Sequence, residues 1–217
     1  MSSFHTLFSR AKPAGNTDSY ESFSGLLVSR HKNLSRLIKT AGPLKQRVPA
    51  WRLVDDAVLY SVIGQMISLS ASCSIIRRLI KRYGSSRKII EWAHKTRNVR
   101  GPICGVPQRK RKALSEWFKF KKKNRNTHLK WHGSGSNNFR TEITSLWGFG
   151  DWAADMIGIF HLGRMDIWPK TDVGLLRACK EVIGTDDPEK IIRYVKGCET
   201  VAALYLWGYL DQKIRIS

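Results

Sequence analysis

Acidic residues are scarce in this chain: 17 Asp+Glu stand against 38 Lys+Arg in 217 residues, a formal net charge of +21. That imbalance disfavours cationic partners and points to a polyanion, either nucleic acid or an anionic membrane surface. Cysteine is scarce as well. Cys73, Cys104, Cys179 and Cys198 stand apart with no C-x-x-C pair, which removes the argument for a zinc site, an iron–sulfur cluster or a redox motif and leaves reduced core thiols. The six histidines show no H-E-x-x-H or other ligand spacing, so no catalytic metal is expected. No apolar run reaches the roughly 18 residues needed to span a bilayer, and Met1 to Arg10 lacks the apolar stretch of a secretory signal. The expectation is a soluble intracellular protein with no membrane partner, in the cytoplasm or nucleoid of a prokaryote or the nucleus of a eukaryote. Period-2 alternation long enough for a sheet is also missing. The fold class is therefore all-α.

What is present is helical periodicity cut by Gly and Pro. Residues 1–22 are polar and rich in Gly, Ser and Asn, the composition of a flexible arm. Next, "SGLLVSRHKNLSRLIKTAG" carries Leu26, Leu27, Leu34, Leu37 and Ile38 at helical spacing and stops at Gly42-Pro43. The stretch from Asp55 to Gly84 shows two apolar stripes, Val58 to Ile67 and Ile75 to Ile80. Two helices with a break around Ser68 to Ser72 account for it. Shorter helices are predicted at about 86–96, 107–122, 138–147, 151–162, 173–182, 188–195 and 199–211, with "HGSGSNN" at 132–138 as a surface loop. That makes about ten helices.

Charge gathers along this string. Residues 97–130 hold twelve Lys+Arg, including Arg109, Lys110, Arg111 and Lys112, against one acid, Glu116. Trp117, Phe118 and Phe120 interrupt the run as an amphipathic helix would. The excess extends to Lys45 and Arg47 on one side and to Arg77, Arg78, Lys81 and Arg82 on another. A solvated helix face explains an isolated run; an excess this broad favours phosphate binding, which sets affinity and not sequence preference.

One stretch breaks the apolar rhythm: "TSLWGFGDWAADM", residues 144–156. Gly148 and Gly150 flank Phe149 and permit a tight turn with exposed N–H groups, and the following helix aims the positive end of its dipole at whatever lies in front. That arrangement suits an anion. A plain αα-turn whose glycines only permit packing is the competing explanation. About twenty residues on comes "IWPKTDVGLLRA", and ahead of both lies "VIGQMISLSAS".

These three pieces, in this order and at these distances, resemble the helix-hairpin-helix DNA glycosylase superfamily, most of all its 3-methyladenine DNA glycosylase II branch. The resemblance spans roughly residues 25–213. It implies two interlocked helical subdomains with a DNA cleft between them: a central one over 52–168, holding the hairpin motif at about 138–162, and a second made of 23–51 with 169–217. It further implies that Gly148, Phe149 and Gly150 grip a DNA phosphate, with a monovalent cation as the one candidate cofactor at the hairpin. Trp147 stands where Pro is common, and Asp151 is either a charge beside the phosphate or a helix cap.

Asp172 matches the family's essential aspartate. A carboxylate beneath the anomeric carbon can stabilise an oxocarbenium-like transition state and orient water; from the residue alone it is equally a helix N-cap. Trp152 occupies the position at which bifunctional members carry a Schiff-base lysine, and the four-cysteine cluster of the endonuclease III branch is missing, so the resemblance implies a monofunctional hydrolase. Trp152 also either lines the base pocket, where a cationic purine would meet an aromatic face, or belongs to the core. Met66 corresponds to an apolar wedge and Gln65 to its polar neighbour, both entering the duplex when a nucleotide is extruded; alternatively Met66 continues the Val62-Ile63 core stripe. Arg109, Lys110 and Lys112 are expected on the phosphates. Near the start of the closing helix, Glu199 and Thr200 replace a frequent arginine or tyrosine. The expected activity is removal of alkylated purines from duplex DNA by a monomer. The alternatives are a glycosylase for oxidised or mismatched bases, and a helix-hairpin-helix DNA-binding protein without catalysis.

Overall fold

A computed structural model describes residues 17–44, 48, 50, 51, 53–124, 131, 132 and 136–212. Within them the chain forms eleven α-helices: α1 Thr17–Arg30, α2 Lys32–Ala41, α3 Val54–Gly64, α4 Leu69–Tyr83, α5 Ser86–Lys95, α6 Gln108–Lys123, α7 Ser136–Thr144, α8 Asp151–Phe160, α9 Val173–Val182, α10 Pro188–Val195 and α11 Glu199–Gln212. An isolated bridge between Ile103 and Val106 is the one β pairing among the described residues. No helix among them is long and apolar enough to cross a membrane.

The helices divide into two compact units. One is continuous, Trp51–Leu162, and is organised around α3, which packs on α4, α5, α6 and α8. Helix α3 is apolar nearly all round, with Val54, Ala57, Val58, Leu59, Val62 and Ile63 buried. Such a helix is stable only as a core element. Its one buried acid, Asp55, accepts from Trp117 Nε1 at 2.9 Å and pairs with Lys121, so two residues of the aromatic-basic segment on α6 satisfy a carboxylate that would otherwise be costly to bury.

The other unit joins Met1–Ala50 to Gly163–Ser217. Here α11 packs on α1, α2, α9 and α10, with Val201 to Leu206 buried. The division falls at Leu162, ahead of the boundary after Trp168 expected from sequence. The buried Thr200 hydroxyl explains the difference: it donates to the carbonyls of Arg164 and Ile167 (3.0 and 3.1 Å) and accepts from Ile167 N–H (3.3 Å), fastening 164–167 to α11.

Caps account for the helix boundaries. Ser68, Ser85, Asp172 and Asp187 each accept a first-turn N–H at the start of α4, α5, α9 and α10, and Pro188 follows Asp187 at the first helical position. Four expectations are corrected. The arm predicted over 1–22 is helical from Thr17, and residues 1–16 lie outside the described residues. The single helix expected up to Gly42 is two, because His31 is extended (φ −150) and its ring packs edge-on against Tyr194 at 4.8 Å. The break after α3 falls at Gln65–Ser68, with Ser68 already the cap of α4. Of the predicted loop at 132–138, Ser136 onward is helix and 133–135 lie outside the described residues, as do Lys45, Arg47, Arg125 and Lys130.

Candidate functional site

Within the continuous unit, four predicted site elements come together. The turn after α3 places Met66 at φ 57 and leaves it 98% exposed, so it does not continue the Val62-Ile63 core stripe. Left-handed backbone in an unbranched apolar residue costs about 1–2 kcal/mol. Such strain at an exposed side chain invites a functional explanation. Beside it, Gln65 is half-buried, and its Nε2 donates to the Gly148 carbonyl at 3.1 Å, linking the turn to the glycine hairpin. Lys110 of α6 donates from Nζ to the carbonyls of Ile63 and Gln65 (2.6 and 2.9 Å). Its ammonium therefore caps the C-terminal end of α3, and burial pushes its pKa below the usual lysine range.

The expected phosphate contact at Lys110 is thus corrected to a structural one, whereas its neighbours Arg109 and Lys112 are exposed. Arg111, another member of the basic run, is fully buried and donates to the carbonyls of Thr96, Val99, Gly101 and Val106. Composition does not separate these four residues, since a cation that holds backbone and a cation that faces solvent look alike in sequence.

The two hairpin glycines differ. Gly148 has φ 87, and a Cβ there would lie 2.6 Å from Ala113 Cβ, so glycine is required both by conformation and by packing on α6. Gly150 is extended (φ −106, ψ −173), with nothing within 4 Å of a Cβ. It is the N-cap of α8 and brings no side-chain cap, so the helix begins with its dipole end uncovered by the cap residue. Phe149 is a correction: its side chain is buried and its N–H bonds Leu146 O at 3.0 Å, so it anchors the hairpin. Asp151 is the first residue of α8 and not its cap; it pairs with Arg140 at 3.0 Å, and Arg140 also holds the buried Asp155. Trp147 is half exposed at the hairpin tip. Trp152 is half-buried, and its ring edge (Cη2) would lie 3.3 Å from a Cβ at Gly64, so the absence of a side chain at the end of α3 makes room for the indole.

In the discontinuous unit, Asp172 caps α9. Its Oδ1 accepts from Leu175 N–H at 2.6 Å and from Trp207 Nε1 of α11 at 3.2 Å. A Cβ on Gly174 would come within 3.2 Å of the same oxygen. The cap bond and the bond from α11 therefore fix the same carboxylate oxygen. No spacing in the sequence marks Trp207 as a partner of Asp172. Thr200 is buried, and Glu199 accepts from Gly197 N–H at 2.9 Å, so the start of α11 is occupied by local bonds. No group of three or more His, Cys, Asp or Glu among the described residues could hold a metal ion.

Known structures share this arrangement of helices. Against the 3-methyladenine DNA glycosylase Mag1 of Schizosaccharomyces pombe, solved in complex with abasic DNA, the chain gives a TM-score of 0.75 at 18% identity over 90% of its length and 98% of that chain. This is the helix-hairpin-helix DNA glycosylase fold. The same glycosylase fold is found in the DNA-3-methyladenine glycosidase of Bacillus halodurans, with a TM-score of 0.60 and 24% identity over 84% of this chain and 86% of that one. In sequence, a stretch of 71 residues is 37% identical to the alkylbase DNA glycosidase-like protein mag2 of S. pombe, covering 30% of this chain and 33% of that protein. The chain thus spans about a third of that curated relative. No family model matches it.

Proposed function

We propose that the protein is a monofunctional DNA glycosylase that acts as a monomer and hydrolyses the N-glycosidic bond of alkylated purines in duplex DNA, within the intracellular compartment that holds the genome. The observation that carries the reading is Asp172: a helix cap needs one acceptor bond, and this carboxylate oxygen takes a second from Trp207. Fixed from two sides, the carboxylate is pre-organised to stabilise positive charge.

In this mechanism the uncapped start of α8 at Gly150, with Arg109 and Lys112, holds backbone phosphates. Met66 enters the stack from its strained turn as the target nucleotide swings out, and Trp152 offers an aromatic face to the cationic base. The C–N bond breaks with its electron pair leaving on the base. Asp172 stabilises the oxocarbenium-like sugar and takes up the proton of the attacking water, giving an abasic site and a free base. A purine alkylated at N3 or N7 is already positively charged, so the leaving group needs little acid help. Trp152 offers no amine, hence no Schiff base and no strand cleavage. A monovalent cation at the hairpin would draw on backbone carbonyls: those of Leu146, Gly148 and Gly150 each accept one hydrogen bond and retain a second lone pair. Such an ion would supply positive charge toward a backbone phosphate.

The test is base release from methylated duplex DNA by wild type and Asp172→Asn, with released bases identified by chromatography. Wild type is expected to release methylated purines, and the variant to retain duplex binding while losing activity about 10²–10⁴-fold. Equal release by both, or release by neither while both bind DNA, refutes the reading and leaves Asp172 as a cap.

A further inference from the structure

Arg78 and Arg82 lie four residues apart on α4 and share one face of it. Both are exposed. Neither forms an ion pair among the described residues. Like charges at this spacing disfavour a helix unless something offsets them. With Cys104 and Gly105 they line an open depression of about 500 Å³.

Its far wall is a tight hairpin turn. Ile103 and Val106 exchange both backbone bonds (3.1 and 2.9 Å), and Cys104 and Gly105 have φ 53 and 79, the two left-handed residues such a turn requires. A Cβ on Gly105 would sit 3.0 Å from Arg78 Nη2, so glycine lets the guanidinium lie across the turn. Arg82 is steadied against the Tyr83 ring, 5.7 Å from its centroid. The buried Arg111 binds the carbonyls of Val99, Gly101 and Val106 and fixes the wall from behind. Two cations, one pre-positioned over a glycine turn and one over a ring, make a seat matched to the oxygens of a phosphate.

We propose that this depression binds a backbone phosphate of the DNA duplex at a distance from the hairpin, an inference that rests on the duplex-binding reading above. At about 1.5 Å per residue, Arg78 and Arg82 stand about 15 and 21 Å along α4 from its cap Ser68, next to the Met66 turn. Phosphates recur about every 3.4 Å along each strand. The contact therefore falls within about six base-pair steps of the gap that Met66 fills, and it adds affinity without reading a base.

Cys104 reports on the seat, because it is half-exposed while Cys73, Cys179 and Cys198 are buried. The experiment follows iodoacetamide labelling of Cys104 by mass spectrometry in the full chain, alone, with inorganic phosphate, and with an undamaged duplex whose binding is read by anisotropy in the same sample. The Arg78→Gln/Arg82→Gln double variant is run alongside, its folding checked by an unchanged Tm. The duplex is expected to slow labelling of wild-type Cys104 several-fold, and the variant to lose both that protection and about 0.9 from the slope of log affinity against log salt per phosphate released. Saturated binding with Cys104 labelled at the free rate and an unchanged slope overturns the proposal, as does protection by inorganic phosphate but not by duplex. A protein that shows the expected signatures yet releases no base refutes the glycosylase reading and leaves the seat standing; one that binds no duplex refutes both.

Discussion

Met66 offers a test in which stability and activity should move in opposite directions. The residue is 98% exposed at φ 57, so Met66→Gly removes no buried surface and relieves a left-handed backbone costing about 1–2 kcal/mol. Against that gain stands the greater freedom of glycine in the unfolded chain, about 0.5–1 kcal/mol. The net is a stabilisation of up to about 1.5 kcal/mol, which for a chain of this size raises Tm by up to about 6 °C. In the complex the balance reverses. A methionine side chain inserted between bases withdraws apolar surface worth about 1.5–3 kcal/mol, so its loss should lower single-turnover base release from duplex DNA about 10–100-fold. Met66→Leu should keep most of the rate. With the lesion in single-stranded DNA there is no stack to hold open, and wild type and Met66→Gly should converge. A Met66→Gly protein that is less stable than wild type, or equally active on duplex, would refute the wedge and return Met66 to a purely structural turn.

The two hairpin glycines should separate cleanly. Gly148→Ala adds an atom 2.6 Å from Ala113 Cβ at φ 87, combining overpacking and strain for a loss of about 2–4 kcal/mol in chemical denaturation. Gly150→Ala meets nothing within 4 Å, so it should leave Tm unchanged yet weaken duplex binding through the space in front of α8; the reverse pattern would mean that the hairpin glycines serve packing alone. His94 should make the protein acid-sensitive. Burial, with Arg97, Lys119 and Lys122 nearby, lowers its pKa below 6.5, and its Nδ1 bonds Ser115 at 2.8 Å. The unfolded chain then binds more protons below pH 6.5, so stability falls as pH drops through that value toward the lower folded pKa. His94→Gln should reduce the slope of Tm against pH; an unchanged slope would place the acid sensitivity elsewhere.

Helices whose ends are written in side chains were legible in the sequence: Asp172 before α9, Asp187-Pro188 before α10, and Gly84 after α4 all coincide with observed boundaries. The break at His31, made without Gly or Pro and set by tertiary contacts, was not, and the one expected at Ser68 to Ser72 was legible in kind but falls earlier, at Gln65–Ser68 just after Gly64. Charge was legible as a total but not as an address, since Lys110 and Arg111 hold backbone carbonyls while Arg109 and Lys112 face solvent. Gln65, Trp152 and the hairpin could be selected by motif and are joined by contacts in the fold. The Trp207 bond to Asp172 closes over a sequence separation of 35 that no periodicity encodes.

The division of the chain also bears on its synthesis. Residues 51–162 are contiguous and can acquire their core as soon as they leave the ribosome, but α1 and α2, once packed on each other, find the rest of their core in α9, α10 and α11. At translation rates of about 5–20 residues per second, those two helices wait on the order of 10–30 s for the segment that buries them. Leu34, Leu37 and Ile38, sealed in the finished protein, are in that interval exposed clients for whatever holds nascent chains apart.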